Sequence, residues 1–200
     1  MARQYFEQML ADSLIVPVGA VSPATTPTFL LSNAAGGNVG QAAKFLPLPY
    51  GQSAPSPGQV FRVRMGGLFT SVAGTFIFNM YHGTGTSATA GGTALGASQT
   101  LTLTAWTAGY FRLEGELIYR SISELATTST CWFNGTVTVG GPPANTVAPV
   151  TFILGTAAAV SVDTTGTGVA GTYGALNLFV TPGTTGSSFT TEYAIIHSEN

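Results

Sequence analysis

The stretch Tyr110-Phe-Arg-Leu-Glu-Gly-Glu-Leu-Ile-Tyr-Arg-Ser-Ile122 carries the longest regular pattern in the chain. Phe111, Leu113, Gly115, Leu117 and Tyr119 fall on one side of an extended backbone. Arg112, Glu114, Glu116, Ile118 and Arg120 fall on the other. A period of two marks a strand with one face in a core and one in water. Shorter patterns of the same kind lie on both sides. Phe61, Val63 and Met65 alternate with Arg62 and Arg64. Phe76, Phe78 and Met80 alternate with Ile77, Asn79 and Tyr81, which predicts a strand covered on both faces.

Leu101 and Leu103 open a further strand toward Trp106, and others are expected over 130–139, 147–156, 175–181 and 188–197. Residues 83–96, rich in Gly, Thr, Ala and Ser, read as a loop. Asn134-Gly135 is a strong hairpin cue. Yet Cys131, Phe133, Gly135, Val137 and Val139 alternate through it, so one continuous strand with Asn134 facing out is expected. About eight strands at this spacing, with no internal helix and no fixed-period repeat, predict an all-β fold, a jelly-roll β-sandwich.

Residues 1–58 differ in texture and are expected to form an extended, Pro-rich N-terminal arm beside a domain at 59–200. Phe6, Met9 and Leu10 share one helical face, suggesting a short helix over 2–12. Leu14, Ile15 and Val16 precede Pro17, as in a short edge strand. Six prolines follow between Pro23 and Pro57, around a Gly-rich 33–40. Phe29, Leu30, Leu31, Phe45, Leu46, Leu48 and Tyr50 make this segment too apolar for a solvated linker. It is expected to lie along the domain or along a partner.

Six basic and eight acidic residues make only 7% of the chain charged, against about a quarter in ordinary soluble domains. Solubility must then come from hydroxyls and backbone, or the surface must be covered by partners. Scattered basic residues argue against nucleic acid. The apolar run 14–21 is too short to span a bilayer, and no membrane partner is expected. The first residues lack the order of a signal peptide and Cys131 is alone, so assembly in a reducing cytoplasm is expected.

Catalytic, cofactor and metal chemistry is expected to be absent. Gly166-Thr-Gly-Val-Ala-Gly171 has the letters of a dinucleotide fingerprint but no helix after it. Lys44, the single lysine, is followed by Phe45 and not by the Ser or Thr of a P-loop. His82 and His197 have no ligand spacing, and each ends a strand pattern, which suggests turn-facing or rim positions. Cys131 reads as a small buried hydrophobe. Glu114 and Glu116 could serve a glycosidase. Arg112 and Arg120 on the same face instead predict a charge-balanced ladder.

Phe61-Arg-Val-Arg-Met-Gly-Gly-Leu-Phe-Thr70 and Gly74-Thr-Phe-Ile-Phe-Asn-Met-Tyr-His-Gly-Thr-Gly85 resemble small Gly/Thr/Ala-rich jelly-roll structural proteins of tailed bacteriophages. So do, in order, Thr100-Leu-Thr-Leu-Thr104, the stretch 111–120, Phe133-Asn-Gly-Thr-Val-Thr-Val139, Asn177-Leu-Phe-Val180 and Glu192-Tyr-Ala-Ile-Ile-His197. The resemblance implies a virion component without catalysis: a capsid decoration or cement protein, usually a homotrimer, bridging subunits of the major capsid protein. Its contacts would be the apolar arm residues named above, with Arg112, Glu114, Glu116 and Arg120 as a secondary patch. Alternatives are a tail or fibre protein contacting the host surface, and a carbohydrate-binding jelly-roll module for surface glycans.

Overall fold

Alternation of large apolar residues with polar ones drives this chain into paired strands. A computed structural model describes residues 28–30, 46–47, 56–87, 90–96, 100–122, 129–142, 148–162 and 175–199. Their strands are β1 (Thr28–Phe29), β2 (Leu46–Pro47), β3 (Val60–Ser71), β4 (Gly74–Ser87), β5 (Ala90–Ala94), β6 (Leu101–Leu103) and β7 (Trp106–Ser121). They continue with β8 (Ser129–Gly140), β9 (Val150–Gly155), β10 (Val160–Val162), β11 (Ala175–Pro182) and β12 (Ser188–Glu199). The described residues include no helix.

Two six-stranded antiparallel sheets result. In the first, β11 and β4 are central, with β1 and β2 on the far side of β11 and β5 and β6 on the far side of β4. The second runs β10-β8-β7-β3-β12, with β9 also on β8. Within it, β12-β3-β7-β8 has the 4-1-2-3 spatial order of a Greek key, although β3 and β7 are joined through the other sheet. Phe61, Val63, Met65, Phe111, Leu113, Leu117, Phe133 and Val137 from the second sheet are buried against Phe76, Phe78, Met80, Leu176, Leu178 and Val180 from the first. Phe189 is the hub: its ring is stacked on Phe69 at 5.4 Å and meets Phe76, Phe78 and Phe111 edge-on at 6.1–6.2 Å.

The continuous reading of 131–139 matches β8, in which Asn134 opposes Glu116 in mid-strand. On the core side, Gly115 opposes Gly135, and a Cβ on Gly115 would come 2.7 Å from the Phe133 ring. The aromatic ring fills the space that the two glycines leave. The expected two-sided cover of the 76–81 strand also agrees: Ile77, Asn79 and Tyr81 are half-buried on its outer side.

Two expectations need correction. The reading of 83–96 as a loop is replaced by the end of β4 and β5, which pair as a hairpin through Tyr81–Ala94, His82–Thr93, Gly83–Gly92 and Ser87–Ala90. Small residues there give no visible alternation, but backbone pairing needs none. His82 is not at a rim; it is buried, with Nε2 2.5 Å from the Tyr119 hydroxyl of the opposite sheet.

Of the arm, the structure describes β1 with Leu30, β2, and residues 56–58; the two strands belong to the first sheet, while Gly58 donates its N–H to the Tyr119 carbonyl of the second. β1 and β2 both pair with β11. Leu30 donates its N–H to the Leu178 carbonyl, and its own carbonyl accepts the Thr191 hydroxyl of the second sheet at 2.8 Å. Its side chain is fully buried in the core of this chain, not presented to a partner. Of the other arm residues expected to touch partners, Phe29 and Leu46 lie in β1 and β2. Phe6, Met9, Leu10, Leu14, Ile15, Val16, Leu31, Phe45, Leu48 and Tyr50 are outside the described residues, as is the glycine run 166–171.

Candidate binding face

The outer face of the second sheet gathers most of the charge that the chain spends in its described part. Register sets it out in rows. Arg62 of β3 opposes Glu116 of β7, which opposes Asn134 of β8. The next row is Ile195, Arg64, Glu114, Thr136 and Ile153; the one after is Tyr193, Gly66, Arg112, Thr138 and Thr151.

The predicted ladder exists in part: Arg112 pairs with a glutamate as expected, while Arg62 and Arg64 join from β3. Arg62 Nε donates to Glu116 Oε1 at 3.2 Å. Arg112 Nη2 donates to Glu114 Oε1 at 2.5 Å, and Arg64 Nε lies 3.7 Å from the same oxygen. Arg120 sits where the β7–β8 register shifts, between Tyr119 and Ser121, and joins none of these pairs. A bulge removes it from the row that strict alternation assigned to it. Each pair is half-exposed, so it contributes on the order of 1 kcal/mol or less. The ladder does little to hold the fold.

Between the charged rows runs an open groove of about 420 Å³. Arg62, Arg64, Glu114, Glu116, Asn134 and Thr136 line it, and Gly115 and Gly135 lie at its base. Both glutamates are engaged by guanidinium groups through Oε1. Beyond one end of the groove, Tyr193 and Tyr110 stand 37% and 38% exposed. Each faces a glycine directly across the ladder: Tyr193 opposes Gly66 and Tyr110 opposes Gly140. A Cβ on Gly66 would lie 2.7 Å from the Tyr193 hydroxyl end, and one on Gly140 would collide with the Tyr110 ring. Both rings therefore lie across their glycines, low on the sheet. At the other end, Trp132 is half-buried, with its indole N–H donated to the Thr156 carbonyl at 3.0 Å.

These aromatics are what strand reading missed. Phe189 and Thr191 point into the core, and strict alternation would send Tyr193 after them. The register shifts between Thr191 and Tyr193, with Glu192 as the extra residue, so that Ala194 and Ile196 turn inward and Tyr193 outward. Gly67, opposite the bulge, is where a Cβ would run into the Thr190 carbonyl, and that pairing of glycine with bulge was the available signal.

Elsewhere the described residues carry little reactive chemistry. Cys131 is fully buried, and desolvation pushes its thiol from 9.0 up to about 12. No group of three His, Cys, Asp or Glu among the described residues could hold a metal ion. No known protein family, curated protein or solved structure matches the chain.

Proposed function

We propose that this chain is a non-enzymatic structural protein of a tailed-phage virion. In this reading it is a jelly-roll decoration or cement protein that adds to the outer head surface as a homotrimer and ties neighbouring major capsid protein subunits together. The observation that carries the reading is how the N-terminal segment joins the domain. Its described pieces enter as two short strands laid on one strand, β11, through backbone hydrogen bonds. Chain that attaches this way can attach equally to a neighbour's sheet edge, because strand addition needs backbone groups and not charge. A chain only 7% charged, built on a two-sheet scaffold, suits that mode of assembly. Both glutamates of the outer face are engaged by arginines and the one thiol is buried, which supports a role in binding over one in catalysis.

The test is the protein composition of gradient-purified particles made from the encoding genome, with and without this gene. The reading expects the chain in hundreds of copies, scaling with the major capsid protein, and heads that burst at lower temperature without it. Absence from the particle overturns the reading. A handful of copies together with lost host attachment also overturns it, in favour of a tail role.

A further inference from the structure

We propose that β9 is a docking edge for a second copy of this chain, the two β9 strands pairing antiparallel about a two-fold axis. The inference stands on this strand and does not require the virion reading.

A sheet edge presents backbone N–H and C=O groups that invite a further strand, and proteins guard such edges with charge, proline, bulges or very short strands. Most edges of this sandwich are blunted. β12 carries a bulge at the exposed Glu192, and its Thr191 hydroxyl is taken by the Leu30 carbonyl. β1 and β2 are two residues long, and β6 and β10 three. β5 has Gly91 and Gly92 at its centre, and glycine weakens a strand. β9 has none of these devices. Val150-Thr-Phe-Ile-Leu-Gly155 runs six residues without charge or proline and pairs with β8 without a register shift. Among the described residues, no strand pairs with its other side. Ile153 stands 71% exposed on it, the most exposed large apolar side chain described, and Val150 is 38% exposed.

Backbone direction sets the register. Thr156 donates its N–H to the Phe133 carbonyl. Alternation along an antiparallel ladder then turns the backbone groups of Val150, Phe152 and Leu154 toward β8, and those of Thr151, Ile153 and Gly155 outward. The Gly155 carbonyl is pressed against Gly96, and Pro149 has no N–H to give. Thr151 and Ile153 therefore carry the pairing. Laid on a second β9, Thr151 of each copy opposes Ile153 of the other, and each pair exchanges both of its N–H···O=C bonds. The side chains agree with that register. Phe152, which packs on Phe78 at 5.6 Å, meets Phe152 of the second copy on the core side, and Val150 meets Leu154. On the outer side, Ile153 is covered by Thr151 of the second copy. A strand without charge brings no like charges together at the axis, so it can pair with itself. Such a contact is isologous and closes at two copies instead of propagating. In the virion reading it ties one trimer to the next.

The test is sedimentation of the full chain at concentrations up to about 200 µM, because edge contacts of this length belong with small, transient interfaces. The mass of the species present at low concentration is expected to double as concentration rises. Ile153→Lys is expected to abolish the doubling at an unchanged melting temperature. The double variant Thr151→Cys, Ile153→Cys is expected to form a disulfide-linked dimer on mild oxidation, with the buried Cys131 left unlinked. Doubling from a trimer supports this inference and the virion reading together; doubling from a monomer supports this inference and counts against the homotrimer. No doubling overturns the inference, as does doubling that Ile153→Lys leaves intact, and absence of the linked dimer overturns the register.

Discussion

His82 Nε2 and the Tyr119 hydroxyl lie 2.5 Å apart inside the sandwich, joining β4 of one sheet to β7 of the other. The two share one hydrogen bond, with the donor set by the imidazole tautomer. Tyr119 also packs edge-on against Phe61 at 6.0 Å. Tyr119→Phe keeps that packing and takes the hydroxyl from the imidazole. A loss of about 1–3 kcal/mol is expected in urea unfolding, since a buried hydrogen bond between the sheets is removed.

Leu30 tests whether the N-terminal segment belongs to the domain. Leu30→Ala is expected to cost about 2–5 kcal/mol, the range for a fully buried leucine. A chain beginning at residue 56 should then unfold at lower urea than the whole. Equal midpoints would make the segment an independent arm.

Cys131 gives a pH signature. Its folded-state pKa is raised to about 12, above the 9.0 of the exposed thiol, so the folded state favours the neutral form. That preference is present in full below pH 9 and is lost as pH rises toward 12, on the order of 4 kcal/mol in all. The alkaline decline in stability should be shallower in Cys131→Ala. Native protein at pH 8 should resist iodoacetamide until unfolded.

Glycines should sort by what a Cβ meets. Gly96 has φ +88°, and its Cβ would run into the Gly155 carbonyl, so Gly96→Ala is expected to cost several kcal/mol or prevent folding. At Gly140 the obstacle is the end of the Tyr110 ring, which can swing away, and Gly140→Ala should cost about 1–2 kcal/mol. Thermal unfolding of the two variants distinguishes them.

Ala108 sits at φ 59° between Trp106 and Gly109, where the β3–β7 register shifts. A left-handed conformation strains an L-residue by about 1 kcal/mol or more, and glycine is free of that strain. Ala108→Gly is expected to raise stability by up to about 1 kcal/mol in chemical denaturation.

How far the sequence reveals this molecule follows from where its side chains alternate. Large apolar residues at every second position locate β3, the first half of β4, β7, β8, β11 and β12. The hairpin of β4 and β5 is invisible because glycine, threonine and alanine leave no periodic trace. The charged face is legible as a face, since Arg112, Glu114 and Glu116 lie on one strand. Its pairing is not, because Arg62 and Arg64 arrive from β3, some fifty positions earlier, and Arg120 leaves its row at a bulge. Tyr193 is hidden for the same reason: one extra residue, Glu192, reverses the side on which it emerges. His82 is misplaced because its position at the end of an apolar run looks like a rim until Tyr119 is seen across the core.

A cryo-EM map of the intact particle made from the encoding genome tests the central claim most directly. The account predicts density of this two-sheet domain repeated over the head surface as trimers that bridge neighbouring major capsid protein subunits. Density of this shape confined to the tail, or absent from the particle, would contradict it.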